Sequence, residues 1–462
     1  MRLLPRAANY AAKPTFLRAS LLWGFLLLLG FDFRKQDDTS GAAVQFALLG
    51  GVLGCGFLFI MLESISRRRV QHSSFDNGPM MIWTLYLAYT VIPVLVWGIQ
   101  LDRYFKVLLP MILFGTGIAV MHHYDRRGYD PRWLINVLFW TSLISAMWTP
   151  IYAIALSGLD ISQARFQIIG PGLSFLLGYG AASIFVKRNH GRATLGLVYA
   201  VMIVLLSITR SFAIGLVLIM LALMAVDAKR RNFAIAMTRG IRMVGIVLVL
   251  GTVAIGAAIA VRPNTQTMWS QRVQHQKAAG GQDITYITRL AEYYGQWKAM
   301  TATPMSFFVG KGVGSEYVWD QGILNKLDAD VVDETHWWLG GHSTWIYPFY
   351  SNGAIMGLIV PFMFIYSLRS GYVSASKATD PTDFEGATIL FVVLITYLGQ
   401  SFTGNILSGR YTSLILGVVV GGLMIYARRR RVSVEAQRNN QSRIAATDHG
   451  EAAPATGQLS ES

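Results

Sequence analysis

Cysteine is nearly missing from this chain. Its 462 residues include one, Cys55, inside an apolar run. That excludes a disulfide framework and gives no basis for thiolate chemistry. Charge is scarce as well: 14% of residues are Asp, Glu, Lys or Arg, against 53% hydrophobic, with a mean hydropathy of +0.42. That balance is too apolar for a soluble globule. Acidic residues are the scarcer sign, 25 against 40 basic, for a net charge of +15. No internal repeat is apparent. The glycine-rich run Gly310-Lys311-Gly312 lacks the spacer and the Gly-Lys-Ser/Thr end of a P-loop.

What the chain does have is long hydrophobic runs. A helix needs about 20 mostly apolar residues to cross the hydrocarbon core. Twelve segments qualify, at about 16–32, 41–62, 79–98, 104–121, 133–157, 167–186, 193–208, 211–226, 243–261, 344–368, 386–402 and 406–426. An all-α polytopic bundle follows, because lipid offers no partner to unpaired backbone groups. The basic residues are placed with a pattern. Gaps beginning at Met1, Glu63, His122, Lys187, Asp227, Arg369 and Ala427 hold 26 of the 40 Lys and Arg. These are every second gap, so they predict the cytoplasmic side and put both termini inside. The net positive charge is therefore topogenic, not a nucleic-acid footprint. The basic N-terminus resembles a signal sequence, but no small-x-small cleavage site follows, so it reads as the uncleaved first span.

Four parts are expected: helices one to nine over 1–261, an outer loop over 262–342, helices ten to twelve over 343–426, and a disordered cytoplasmic tail over 427–462. Within the loop, Ile287, Leu290, Tyr294 and Trp297 recur every three to four residues. An amphipathic helix over Ile284 to Ala302 is predicted, with Pro304 as its stop. The glycine run through Ser315 reads as a tight turn. Asp328, Asp330, Asp333 and Glu334 lack the regular spacing of a calcium loop and read as a solvated stretch. Trp337, Trp338 and Trp345 around His342 suit an interfacial aromatic belt.

Four residues on the outer side could carry chemistry: Arg165, Arg210, Arg289 and His342. Arg210 sits between two apolar runs, where a charge is costly unless paired or wetted. A ligand role for an anionic group explains it better than a solvated turn does. Taken singly, Arg165 reads as an ordinary residue before a span, and Arg289 as part of a solvated helix face. An interfacial histidine such as His342 is more often structural than catalytic. His275 and His336 are its rivals, and Arg410 is a weaker fourth arginine. The chemistry nonetheless converges. A guanidinium fork grips a diphosphate bidentately, and forks of this kind can replace a metal ion beside a leaving diphosphate. A neutral imidazole can take a proton from an attacking sugar hydroxyl.

Arg289-Leu290, Trp297, Pro304, the run Gly310-Lys311-Gly312-Val313-Gly314-Ser315, and His342-Ser343 with nine residues to Gly353 together resemble the O-antigen ligase and polymerase superfamily. The Ser207-Ile208-Thr209-Arg210-Ser211 turn is similar to the one these proteins carry between two spans. The resemblance covers most of the chain, and the His-Ser-x9-Gly spacing is of the ligase type. One departure stands out: the ligase pattern continues Gly-x-x-Gly-Thr-Thr, whereas Gly353 is followed here by Ala354-Ile355-Met356-Gly357-Leu358.

The resemblance implies a GT-C-like, inverting, metal-independent glycosyltransferase of the bacterial inner membrane that needs no cofactor. It would move O-antigen from undecaprenyl diphosphate to a hydroxyl of lipid A–core on the periplasmic face. His342 would be the general base, and Arg210, Arg289 and Arg165 would hold the diphosphate. A polymerase or a protein O-oligosaccharyltransferase would share the donor and differ in acceptor. A transporter for lipid-linked sugars is the alternative of another class, and only catalysis separates it from these.

Overall fold

A computed structural model describes residues 13–32, 42–65, 78–153, 168–186, 190–207, 211–261, 267, 284–324, 340–402 and 404–450. Every regular element among them is a helix. The first half holds α1 (Phe16–Leu27), α2 (Ala42–Ile65), α3 (Gly78–Tyr89), α4 (Val91–Trp97), α5 (Leu101–Arg126) and α6 (Pro131–Ile151). Then come α7 (Leu173–Phe185), α8 (His190–Ser207), α9 (Ser211–Arg230) and α10 (Phe233–Val261). The loop contributes α11 (Ile284–Thr301), α12 (Pro304–Val309) and α13 (Gln321–Leu324). The chain closes with α14 (Tyr347–Gly357), α15 (Ile359–Lys377), α16 (Pro381–Gln400) and α17 (Arg410–Gly450).

Among the described residues seven helices are long and apolar enough to cross a membrane, or eight if one bent pair counts as a crossing. Three shorter apolar helices accompany them, at Phe16–Phe31, Leu173–Phe185 and Gly191–Ser207. The protein is an all-α, multi-pass membrane protein. Helices stand at each of the twelve expected places, although two of the expected spans are divided. The stretch 78–97 breaks at Thr90 into α3 and α4. The expected span 344–368 is α14 and α15, bent by 83°.

Local chemistry sets several helix starts. Asp130 and Asp380 each precede a proline and accept a bond from the amide of Arg132 or Thr382. A capping carboxylate followed by proline satisfies orphan N–H groups and pre-sets φ for the first turn. Thr303 does the same for α12 in a reciprocal cap with Ser306. Pro304 therefore opens the next helix as well as following the end of α11.

The core lies around α17. Its apolar window is 83% buried, against 7% for α10, which faces outward. Helix α17 packs on α5 at backbone distance: a Cβ on Gly417 would meet the Phe114 carbonyl oxygen at 2.1 Å. Small residues at such crossings let helices gain dispersion contact that lipid cannot replace. The expected disordered tail differs from what is seen, because α17 continues through Gly450. The Ala-, Arg- and Gln-rich sequence there extends an existing helix without a new nucleation cost. Residues 451–462 lie outside the described residues.

Charged groups knit one end of the bundle. Glu63 of α2 is buried and meets Arg18 of α1 at 2.7 Å, Arg127 after α5, and the Tyr129 hydroxyl at 2.9 Å. Arg428 pairs with Asp125, and Arg429 with Asp383 at 3.2 Å. Removing one partner of a buried network strands the other charges. Glu63→Ala is expected to cost about 3 kcal/mol, read as a lowered thermal unfolding midpoint in detergent. An unchanged midpoint would show that Arg18 and Arg127 rehydrate without loss.

Candidate active site

The loop sits at the opposite end of α5, where Arg103 pairs with Glu316 at 2.7 Å. On α11, Arg289, Glu292 and Gln296 are spaced by three and four, so they share one face. Glu292 is completely buried. Burying a carboxylate costs several kcal/mol unless donors surround it, and here five do. Oε1 accepts from the His342 amide at 2.6 Å, the Tyr317 hydroxyl at 2.7 Å and Gln296 Nε2 at 3.3 Å. Oε2 lies 3.1 Å from His342 Nδ1 and 3.1 Å from a terminal nitrogen of Arg289. Burial alone would raise the carboxyl, but the ring and amide of His342 and the Tyr317 hydroxyl outweigh it and hold Glu292 below its ordinary value. Burial beside Glu292 pushes the Tyr317 hydroxyl up, so it remains a donor.

His342 is positioned from three directions. Glu292 on α11 grips both its amide and its ring. On the other side, Asn405 Nδ2 donates to the Gly341 carbonyl at 3.0 Å, and the Ile406 amide donates to Thr344 Oγ1 at 3.0 Å. Both partners lie in the linker between α16 and α17. Ser343 Oγ accepts from the amides of Trp345 and Ile346 at 3.2 and 3.0 Å, closing the turn that enters α14. Trp345 is half-buried and donates to Ser401 Oγ at 2.9 Å.

The glycine run and Gly353 are two halves of one clasp. Gly353 has φ 75° and ψ 176°, which interrupts α14. The interruption leaves the carbonyls of Tyr350 and Ser351 without the amides that a continuous helix would supply. The amides of Lys311 and Gly312 take them at 2.8 Å each, so buried backbone stays satisfied. Gly310, Gly312 and Gly314 all have positive φ, as a tight turn requires. A Cβ on Gly353 would lie 2.1 Å from the Phe308 carbonyl oxygen. The φ penalty alone is about 1–2 kcal/mol, and contact with a backbone oxygen cannot be relieved by rotating a side chain. Gly353→Ala is expected to lower the unfolding midpoint and any activity together. A midpoint equal to that of the unaltered protein would count against the clasp.

The geometry has a definite chemical capability. A carboxylate on Nδ1 favours the tautomer with its proton there and the lone pair on Nε2. The His342 side chain is 34% exposed, while Glu292 is sealed. This is the base–orienter arrangement that accepts a proton from a hydroxyl. Arg289 brings a second function to the same carboxylate. Its Nε is buried and has no hydrogen-bond partner among the described residues.

Of the four residues singled out from sequence, the structure joins His342 and Arg289 through Glu292. Arg165, Arg210, His275 and His336 lie outside the described residues, as do Asp328, Asp330, Asp333, Glu334, Trp337 and Trp338. Ser174 near the start of α7 receives a bond from Gln400 at 2.6 Å, and Gly215 in the first turns of α9 packs against Gly399. Both contacts fall at the end of α16 that leads into the linker holding His342. Arg410 is engaged elsewhere, with Asp32 at 2.9 Å and Gln45 at 3.4 Å.

Glu292 itself escaped the sequence reading. The available signal was its place three residues after Arg289 on an amphipathic helix, which also describes an ordinary surface ion pair.

Fold and site together define an all-α membrane protein that presents a carboxylate-held histidine at one end of its bundle. No family model matches the chain, and no curated protein matches it.

Proposed function

We propose that this protein is an O-antigen ligase. The observation that carries the reading is Glu292, which grips His342 through ring and amide while also holding Arg289. In this reading the helices make twelve crossings of a bacterial inner membrane, with both termini cytoplasmic and the site periplasmic. His342 Nε2 takes the proton of a lipid A–core hydroxyl. The freed oxygen attacks the anomeric carbon of the O-antigen sugar, the bond to the diphosphate breaks, and the configuration inverts. Glu292 stays ionised and stabilises the imidazolium. Arg289, with Arg210 and Arg165, neutralises charge on the departing undecaprenyl diphosphate.

The test is reconstitution. Purified protein in nanodiscs receives undecaprenyl-diphosphate-linked glycan and lipid A–core, with EDTA and without nucleotide. A covalent glycosylated lipid A–core is expected. Elongation of the glycan on its own carrier would identify a polymerase instead. No covalent product at all would favour transport.

Arg289→Lys is expected to reduce transfer by about 2–3 kcal/mol of transition-state stabilisation, because an ammonium cannot serve Glu292 and a phosphate with one fork. Unchanged kinetics would remove Arg289 from the diphosphate site.

A further inference from the structure

A cavity of about 850 Å³ lies beside the His342 site. Its walls are the turn joining α4 to α5, the last turns of α11, and the loop segment from Lys311 to Gly322. The volume falls within the range of small-molecule sites, about 300–1,000 Å³. Tyr317 belongs to both places: it lines the cavity, while its hydroxyl bonds Glu292. The wall is built rather than loose. Trp97 Nε1 donates to the Gly310 carbonyl at 2.6 Å, Tyr350 donates to the Glu316 carbonyl at 2.9 Å, and the glycine clasp lies behind them.

The lining chemistry selects among ligands. An acyl chain would want an apolar tube, but Arg103, Lys298, Lys311, Glu316 and Asp320 all line this space. A diphosphate would meet two carboxylates here, Glu316 and Asp320, each beside one of the cations. Arg103 meets Glu316 at 2.7 Å, Lys298 meets Asp320 at 4.0 Å, and Lys311 lies 4.3 Å from the Trp97 ring centroid. The lining as a whole, with its amides, paired ions and indoles, suits a polyhydroxyl ligand. Trp97 and Trp319 add indole surface to the lining, with Lys311 over one face of Trp97. The amides of Gln100 and Gln321 and the paired ions can donate to and accept from ring hydroxyls.

We propose that this cavity is an oligosaccharide-binding subsite, occupied by the sugar rings next to the reacting one. Glycan recognition rests on the cavity; only the source of the glycan rests on the ligase reading. The glycan belongs to the donor or to the acceptor, and those two sources can be told apart.

The experiment uses the full chain in nanodiscs and saturation-transfer NMR. The probes are two lipid-free glycans, O-antigen polysaccharide and core oligosaccharide, each released from the producing strain by mild acid. One of them is expected to bind, and its identity assigns the subsite to donor or acceptor. The double variant Gln100→Ala, Gln321→Ala should weaken binding about tenfold by removing two hydrogen-bonding groups. Ala302→Trp, at an exposed position, should block the cavity by filling it. Both variants are checked for an unchanged unfolding midpoint. His342→Ala should bind the glycan as the unaltered protein does. If neither glycan binds, or if both folded variants bind normally, the proposal fails. If glycan binds while reconstitution yields no transfer, the subsite stands and the ligase reading falls.

Discussion

Glycan transfer should fall below detection when His342 is replaced by alanine. A positioned general base contributes roughly 10²–10⁴-fold, and no second described histidine shares the Glu292 carboxylate. The variant should still fold, for a reason specific to this site. The shorter of its two bonds to Glu292 comes from the backbone amide of residue 342, at 2.6 Å, and alanine keeps that amide. The anchoring of Gly341 by Asn405 and of Thr344 by the linker is also untouched. The expected result is a membrane-embedded protein with an unaltered unfolding midpoint and no product. A protein that is lost from the membrane, or that melts early, would make His342 structural.

Glu292→Gln should cost both activity and stability. Five donors converge on the carboxylate, and a carboxamide would place a sixth donor among them while giving up one acceptor oxygen. A stranded buried donor costs about 1–3 kcal/mol. Transfer should fall by about 10²–10⁴-fold, because the imidazolium loses its counter-charge and the ring its fixed tautomer. Acid sensitivity gives a second readout. The folded-state carboxyl sits below its ordinary value of 4.5. Around that pH the unfolded chain therefore binds more protons, so Glu292's contribution is fully present above pH 4.5 and lost as the pH falls through its depressed value. The unfolding midpoint of the unaltered protein should drop through this window, and that of Glu292→Gln should lack this component. Identical acid profiles would show that Glu292 is not held as an anion.

Much of the architecture was legible because its causes are local. Whether a segment is long and apolar enough to span lipid depends on that segment alone. So does the amphipathic period of α11, predicted over Ile284 to Ala302 and observed over Ile284–Thr301. The tight glycine turn was legible too, since a run of alternating glycines has few other uses. The breaks within expected spans were not. Apolar composition is continuous across Thr90 and Gly353, and the reason α14 is interrupted lies some forty residues away, in the amides of Lys311 and Gly312.

The site divides the same way. His342 and Arg289 could be picked out as residue types suited to proton transfer and phosphate binding, although taken singly the unremarkable explanation of each was the favoured one. Their partnership could not be read along the chain, because Glu292 and His342 are fifty positions apart. Composition, hydropathy and helical period are properties of short stretches, and they settle that this is a helical membrane protein with one long loop. A buried carboxylate is tolerable only where donors surround it, and here Arg289 and Gln296 of the same helix supply two of the five while Tyr317 and His342 supply three. The bonds from Tyr317 and His342 arrive by long-range packing, which turns a helix-surface glutamate into the centre of the site.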